Sequence, residues 1–238
     1  MRVAVIRFPG TNCDLDTVYV LRNLLGLPTD LVWHMTFKGD EYDAAILPGG
    51  FSYGDYLRAG AIAAHSPAIR EVEEMANGGK PILGICNGFQ ILIEAGLLPG
   101  ALLPNDSLTF VCRWVTLRCE TDRSAFTHLI PVGDLLHLPV AHKEGRYFNE
   151  ERALKEMATD GQIVFRYTSL EGAVTLENNP NGSVDNIAGI CNREGNVLGL
   201  MPHPERASEK ILSPFGDDDG LMVFESMVNF LRKGGRVC

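Results

Sequence analysis

The first half of the chain alternates short apolar runs with amphipathic stretches. The apolar runs, which contain few polar side chains, are residues 3–6, 31–33, 44–47 and 81–85. The stretches with apolar positions at helical spacing are residues 13–25, 61–76 and 89–95. Buried strands that alternate with helices are typical of a parallel sheet covered on both faces.

The second half has a different pattern. Segments rich in β-branched and aromatic residues, without long helices between them, are residues 110–119, 163–167 and 186–200. The turn residues at 193–196 predict a hairpin, and an apolar stripe predicts a final helix over residues 220–231. The whole pattern predicts an α/β fold with a doubly wound, mostly parallel sheet, flanked by helices and extended by added antiparallel strands. Residues 1–238 are expected to form a single domain.

Composition limits the classes of function. The chain has 238 residues, 45% of them hydrophobic, which is enough for one large core. A net charge of −9 without any Lys/Arg run disfavours nucleic acid and anionic membrane surfaces as partners. No apolar run approaches membrane-spanning length, and the first residues do not resemble a secretory signal. A cytoplasmic location is therefore expected.

Six cysteines are scattered along the chain, without a CxxC pair or zinc-ligand spacing. In a cytosolic protein such thiols are expected to be reduced, and most are small buried hydrophobic residues. That interpretation applies to Cys13, Cys112, Cys119, Cys191 and Cys238. It is least secure for Cys13, which follows a loop at the same predicted sheet edge as Cys86.

The exception is Cys86, within Gly84-Ile85-Cys86-Asn87-Gly88. This segment runs from a predicted strand into a predicted helix and is the cysteine version of the nucleophile elbow. A sharp corner of this kind needs small flanking residues, and it exposes the side chain at the corner. The sulfur would lie at a helix N-terminus, where unpaired N–H groups favour the reactive thiolate.

A cysteine nucleophile needs a base and a group that orients the base. Of six histidines, His203 follows an apolar run and lies between two prolines, two residues before Glu205. Prolines hold a segment extended, and residues two apart in an extended segment point to the same side. Glu205 is therefore expected to hold the imidazole of His203. The alternative is an exposed His and Glu on a loop.

Two glycines, Gly49 and Gly50, end the third predicted strand and so lie at the same sheet edge as Cys86. Acyl chemistry at Cys86 would need two N–H donors for an oxyanion. The expected donors are the backbone N–H groups of Asn87 and Gly50. By itself the segment is weak evidence, because glycine pairs at strand ends are common. No nucleotide-phosphate motif is present, so an ATP site in this chain is not expected.

These motifs together resemble the class I, or triad-type, glutamine amidotransferases. Within that group the chain is most similar to the glutaminase subunits of phosphoribosylformylglycinamidine synthases. The stretches that carry the resemblance are residues 8–14, 50–60, 84–90 and 201–206. The resemblance implies a flavodoxin-like fold and hydrolysis of glutamine through a thioester on Cys86. His203 would then move the proton, and Glu205 would orient His203.

The resemblance has further implications for substrate and partners. Gly49, Phe51 and Gln90 are expected to contact the substrate glutamine. Ammonia would pass to a large synthetase subunit that binds ATP and Mg²⁺ and converts formylglycinamide ribonucleotide to its amidine. A small subunit would bridge the two, and this chain would hold no cofactor or metal. Activity of the isolated chain is expected to be low.

Three points stay open at this level. Residues 140–147, with His142 near Glu144, are either a loop near the active site or partner interface, or an ordinary solvated loop. The chain could serve another amidotransferase, or be an inactive scaffold with the same fold. Another elbow hydrolase is a further alternative, but such proteins place their histidine close after the nucleophile, and here none occurs between Cys86 and His128.

Overall fold

A nine-stranded mixed sheet forms the centre of the computed structural model, which describes residues 1–235. The strands, in chain order, are β1 Val3–Arg7, β2 Thr29–Trp33, β3 Ala44–Leu47, β4 Ile82–Ile85, β5 Ala101–Leu103, β6 Val111–Cys119, β7 Leu135–His142, β8 Arg146–Phe148, β9 Ile163–Thr168, β10 Ile187–Cys191 and β11 Val197–Leu200. The helices are α1 Asp14–Tyr19, α2 Pro67–Asn77, α3 Asn87–Glu94, α4 Glu151–Thr159 and α5 Asp219–Arg232. Cys238 lies outside the described residues.

The order of strands in the main sheet is β2-β1-β3-β4-β11-β10-β9-β6-β7, and β5 pairs separately with β8. The first five strands in that order are mutually parallel, which is the flavodoxin-like arrangement. The remaining four extend the sheet with antiparallel pairs. The predicted fold class is confirmed, with the added strands in the same sheet as the parallel ones.

The parallel half gathers four chain segments at one edge. Strands β1, β3, β4 and β11 run in the same direction, so the residues that follow them meet at their carboxyl ends. These residues are the loop up to Cys13, the Gly49-Gly50 turn, Cys86 and His203. Helix α3, which begins directly after Cys86, packs against β3, β4 and β11.

The predicted boundaries hold best where strands are buried on both faces. All residues of β3, β4, β10 and β11 are buried, and their runs were apolar throughout. The helix predicted over residues 61–76 is wrong at its start, because α2 begins at Pro67. Ser66 caps α2 by accepting a hydrogen bond from the N–H of Ala68, and a short 3-10 turn, Ala63–His65, precedes it.

Three elements of the second half lack a counterpart in the predicted pattern. Strands β7 and β8 and helix α4 occupy stretches that carried no assignment, or were interpreted as loop. Residues 140–142 belong to β7, and His142 is buried, so a solvated loop is the wrong description of this segment. Residues 146–148 form β8, which follows β7 after a short turn and pairs with β5.

Buried side chains from β1 through α5 form one hydrophobic cluster that spans both halves of the sheet. Within residues 1–235, no helix combines the length and apolar character needed to cross a bilayer.

Candidate active site

Cys86 lies at the corner between β4 and α3, with φ of +50° and ψ of −102°. A residue with a side chain rarely adopts such angles, so the surrounding structure must hold them. The two flanking glycines explain how. A Cβ on Gly88 would lie 1.8 Å from the carbonyl oxygen of Leu47, and a Cβ on Gly84 would lie 2.8 Å from the backbone carbonyl of Gly88. The predicted elbow is therefore present.

The thiol of Cys86 lies beneath the surface, at the wall of a small cavity. The residue is 5% exposed, and its Sγ lies 3.8 Å from the carbonyl oxygen of Ala141 in β7. Its backbone N–H donates to the carbonyl oxygen of Leu200, which ends β11. The nucleophile candidate is thus fixed to the strand that leads to His203.

His203 and Glu205 form a buried pair directly after β11. The Nδ1 of His203 donates to Oε1 of Glu205 at 2.6 Å, and the two side chains are 2% and 0% exposed. The backbone N–H of His203 donates to Pro139 in β7. The pairing was predicted, but its geometry differs from the extended segment expected, because Glu205 lies in a 3-10 turn, Pro204–Arg206.

The charges around His203 favour its protonated form. Burial by itself would lower the pKa of the imidazole, but the charges of Glu205 and then of Cys86 outweigh burial and raise that pKa well above its usual value. The Nε2 atom is buried and makes no hydrogen bond within the described residues. A protonated imidazole beside the sulfur can donate a proton to a leaving amine.

A second thiol, Cys13, lies beside the same pair. A Cβ on Gly49 would lie 2.7 Å from Cε1 of His203 and 3.0 Å from Sγ of Cys13. Arg206 donates to that sulfur at 2.9 Å. Cys13 is therefore buried, as predicted, but it also contacts polar groups of the site. Gly49 packs against the imidazole and is not among the residues that line the cavity.

The predicted oxyanion donors belong to Asn87, which follows Cys86 in the chain, and to Gly50, which lines the same cavity as Cys86. The N–H of Asn87 is in the first turn of α3, where no intrahelical acceptor exists. Around Gly50 the hydrogen bonds are made by its neighbours, since Phe51 donates to Gly10 and Asn12 donates to Gly49. A Cβ on Gly50 would lie 2.7 Å from the Cα of Thr11. The backbone hydrogen bonds of the fold therefore do not use either of these two N–H groups.

The cavity beside Cys86 has a volume of about 270 Å³. Four residues singled out in the sequence line it, namely Gly50, Phe51, Cys86 and Gln90. The Gln90 amide is fully engaged, because its Nε2 donates to the carbonyl oxygen of Glu144 at 2.5 Å and its Oε1 accepts from Asn87. Gln90 therefore lines the cavity while its side-chain amide is bonded to other residues of the wall.

Six further residues line this cavity, and sequence reasoning assigned none of them a contact with the substrate, although residues 140–147 had been noted as a possible loop near the active site. They are Asp55, Phe110, Ala141, His142, Lys143 and Glu144. Burial, and next the nearby His203, lower the pKa of His142 to about 3, so this imidazole is neutral and makes a hydrogen bond with Asn105. A signal was available for part of the set, since Asp55 lies in the glycine-rich segment after β3, and His142 and Glu144 had been noted as neighbours.

Two groups among the described residues bring potential metal ligands within 4.8 Å of one another. One consists of Cys13, His203 and Glu205, and the other of His137, Asp217 and Asp219. In each group the histidine Nδ1 already pairs with a carboxylate, at 2.6 Å and 2.8 Å respectively. The histidine Nδ1 of each group therefore has a partner without a metal. That this chain binds no metal stays a prediction.

Comparison with known proteins gives a consistent result. Residues 1–231 match the family of CobB/CobQ-like glutamine amidotransferase domains. The phosphoribosylformylglycinamidine synthase subunit PurQ of Aquifex aeolicus is 54% identical over 96% of this chain and 100% of its own length. The protein of the same name from Methanosarcina barkeri is 52% identical over 97% of this chain and 98% of its own length.

A solved structure shows the same fold. One chain of the PurLQS structure from Thermotoga maritima superimposes with a TM-score of 0.85 and 44% sequence identity, covering 97% of this chain and 98% of that one. The sequence match covers nearly the whole chain, and the elbow with its buried histidine and glutamate lies within it. The chain belongs to the CobB/CobQ-like glutamine amidotransferase family.

Proposed function

We propose that this chain is the glutaminase subunit of a phosphoribosylformylglycinamidine synthase, which releases ammonia from glutamine for an amidine-forming partner in purine biosynthesis. The observation that carries the chemistry is the strained elbow at Cys86 beside the buried His203–Glu205 pair. The pathway is supported by identity above 50% to PurQ subunits over nearly their full length.

The reaction begins with attack of the Cys86 sulfur on the side-chain amide carbon of glutamine. The oxyanion that forms is held by the N–H groups of Asn87 and Gly50. His203 gives its proton to the leaving nitrogen, so ammonia departs and a thioester remains on Cys86. His203 then takes a proton from water, which attacks the thioester and releases glutamate.

Glu205 acts through His203 and does not touch the substrate. Its carboxylate holds the proton on Nδ1 and stabilises the positive charge on the ring, which directs Nε2 toward the reacting atoms. Phe51 and Gln90 form walls of the glutamine cavity. Gly49 allows the imidazole to approach the turn, because any side chain there would collide with Cε1 of His203.

The partners follow from the same proposal. Ammonia passes to a large synthetase subunit, which carries the ATP and Mg²⁺, and a small subunit bridges the two chains. The name of the Thermotoga maritima structure, PurLQS, supports an assembly with further subunits. A cytoplasmic location fits the five described cysteines, all of which are free thiols.

The experiment that tests the proposal is glutamate release from glutamine by the purified chain. The assay is run with the chain alone, and then with both partner subunits, ATP, Mg²⁺ and formylglycinamide ribonucleotide. Turnover should be weak alone, rise with the partners and fall by a factor of at least about 10³ in Cys86→Ala. Cys112→Ala is the matched control, since Cys112 is exposed, contrary to the buried position predicted for it, and lies outside the cavity.

Each other outcome has a definite meaning. Activity that ignores the partners would keep the glutaminase and remove the purine assignment. Full activity in Cys86→Ala would show that Cys86 is not the nucleophile. No glutamate release under any condition would make the chain a scaffold subunit.

A further inference from the structure

Two carboxylates, Asp55 and Glu144, share the cavity that contains Cys86. The triad chemistry does not use either of them. They come from different parts of the chain, since Asp55 lies in the segment after β3 and Glu144 lies in the turn between β7 and β8. Acidic groups that face one another in an enclosed space repel, so their presence beside a nucleophile calls for a reason.

Asp55 is directed into the cavity by its backbone. Its φ is +53°, and the next two residues, Tyr56 and Leu57, are 71% and 83% exposed. The segment thus turns two apolar side chains out to solvent and the carboxylate inward. Its Oδ1 atom is buried and has no hydrogen-bond partner among the described residues. An oxygen of this kind can accept a hydrogen bond from a molecule that enters the cavity.

Glu144 is fixed by both neighbouring elements of the site. Its Oε2 accepts a hydrogen bond from the backbone N–H of Ala59 at 3.3 Å. Its own carbonyl oxygen accepts from the side chain of Gln90, four residues after Cys86. The carboxylate is therefore placed relative to the nucleophile and cannot easily move away from Asp55.

Neither carboxylate makes an ion pair with a basic side chain of the described residues. Burial, and next the charge of Glu144, raise the pKa of Asp55 to about 6. Apart from the neutral His142, the one basic side chain that lines the cavity is that of Lys143, which is exposed and makes no ion pair within the described residues. A cation held between the two carboxylates would remove the repulsion and supply the missing donor.

Glutamine brings groups of matching charge. Its α-ammonium is a cation with three N–H donors, and its α-carboxylate is an anion that Lys143 can attract. We propose that Asp55 and Glu144 bind the α-ammonium of glutamine, so that the cavity selects an amino-acid amide over a simple amide. The inference rests on the proposed glutaminase function and assigns the specificity of that same cavity.

The test compares glutamine with 4-carbamoylbutanoate, which has the same amide and carboxylate but lacks the α-ammonium. Dissociation constants are measured by calorimetry in the full chain carrying Cys86→Ala, which cannot turn over. Glutamine should bind roughly 30- to 100-fold more tightly than 4-carbamoylbutanoate. Adding Asp55→Asn should raise the dissociation constant of glutamine by about that factor and change that of 4-carbamoylbutanoate by less than about threefold.

Two further variants separate charge recognition from damage to the fold. Glu144→Gln should repeat the selective loss, and Asp40→Asn should leave both constants unchanged, because Asp40 is exposed and lies outside the cavity. The inference would be overturned if Asp55→Asn weakened the binding of both ligands equally. It would also be overturned if the chain carrying Cys86→Ala alone bound the two ligands with equal affinity.

The proposed function fails separately. If the wild-type chain with its partners releases no glutamate, both the function and the inference fall. If it releases glutamate and the two ligands respond alike to Asp55→Asn, only the inference falls.

Discussion

His203 is the residue on which opposing effects act most strongly. Burial disfavours a charged ring, while Glu205 and Cys86 favour it, and the favourable charges win. Because Glu205 is itself fully buried, its charge acts with little screening by solvent. The protonation state of His203 therefore depends on one neighbouring carboxylate.

Replacement of that carboxylate should be severe. In Glu205→Gln, burial is no longer opposed by a charge at Nδ1, so the pKa of His203 should fall below its wild-type value. We expect kcat/KM to drop by a factor of about 10² to 10⁴, as for orienting residues of other triads. The alkaline limb of the pH profile of kcat/KM, measured in the complex, reports the change, because activity is lost there as His203 gives up its proton; this limb should move to lower pH. Glu209→Gln is a control; a profile identical to wild type in Glu205→Gln would contradict the assignment.

The half-buried carboxylate of Asp55, which we propose binds substrate, should lower the stability of the fold at neutral pH. Its folded-state pKa, about 6, lies above the ordinary 3.8, so the folded chain binds more protons than the unfolded chain between these values. Stability contributed by the protonated form is therefore lost as pH rises through 6. Asp55→Asn should raise the free energy of unfolding at pH 7, by at most about 3 kcal/mol and by about 1 kcal/mol after screening at this half-buried site.

Thermal unfolding at two pH values measures this effect. The gain in Tm should be about 2 to 4 °C at pH 7 and absent near pH 4. A variant that is less stable than wild type at pH 7 would show that Asp55 supports the fold instead of the ligand.

At the scale of elements, the strands that were predicted best are those whose own residues are apolar throughout. Strands β3 and β4 are buried on both faces, so their apolar runs could not be mistaken for surface. Strand β7 alternates buried and half-buried residues and contains Pro139, which normally indicates a loop. Pro139 is tolerated because β7 is an edge strand, with a neighbour on one side only, and that position follows from the sheet order.

The start of α2 is a second example. The apolar spacing continued back to residue 61, but Ser66 and Pro67 together mark an N-terminus, and this signal outweighs spacing. Ser66 also bonds to the Nδ1 of buried His34 at 2.7 Å. The cap therefore connects α2 to the loop after β2.

Removal of that cap should be measurable without loss of chemistry. Ser66→Ala should cost about 1 to 2 kcal/mol of unfolding free energy, because the cap is lost and His34 loses a buried partner. Urea denaturation measures the cost, and Ser107→Ala, in an exposed loop, should change it by less than about 0.5 kcal/mol. Activity per folded molecule should stay unchanged; a large fall in activity would tie His34 and Ser66 to the site.

At the scale of the whole molecule, the site is assembled from distant segments. Cys86, His203 and Glu205 could be found from sequence because each lies in a recognisable local motif. The meeting of Asp55 with Glu144 could not, since it depends on how the turn after β7 reaches α3, where Gln90 bonds to the carbonyl oxygen of Glu144. The role of Gly49 was also hidden, because its contact with His203 exists only once β3 and β11 flank β4.

The single hydrophobic cluster supports the prediction of one domain. Because parallel and antiparallel strands share one sheet, neither half can unfold without exposing the other. Differential scanning calorimetry should show one transition with equal calorimetric and van't Hoff enthalpies. Two separated transitions would divide the chain at the β11–β10 boundary.

Strand β11 fills the place between β4 and β10, although β4 is made much earlier. During synthesis at 5–20 residues per second, roughly 10 s pass between emergence of Cys86 and of His203. Throughout that time one edge of β4 has no neighbour and the thiol has no imidazole. The nascent chain therefore lacks the base that the reaction needs until residues 203–205 are made, and a product truncated before β11 would carry the thiol of Cys86 without that base.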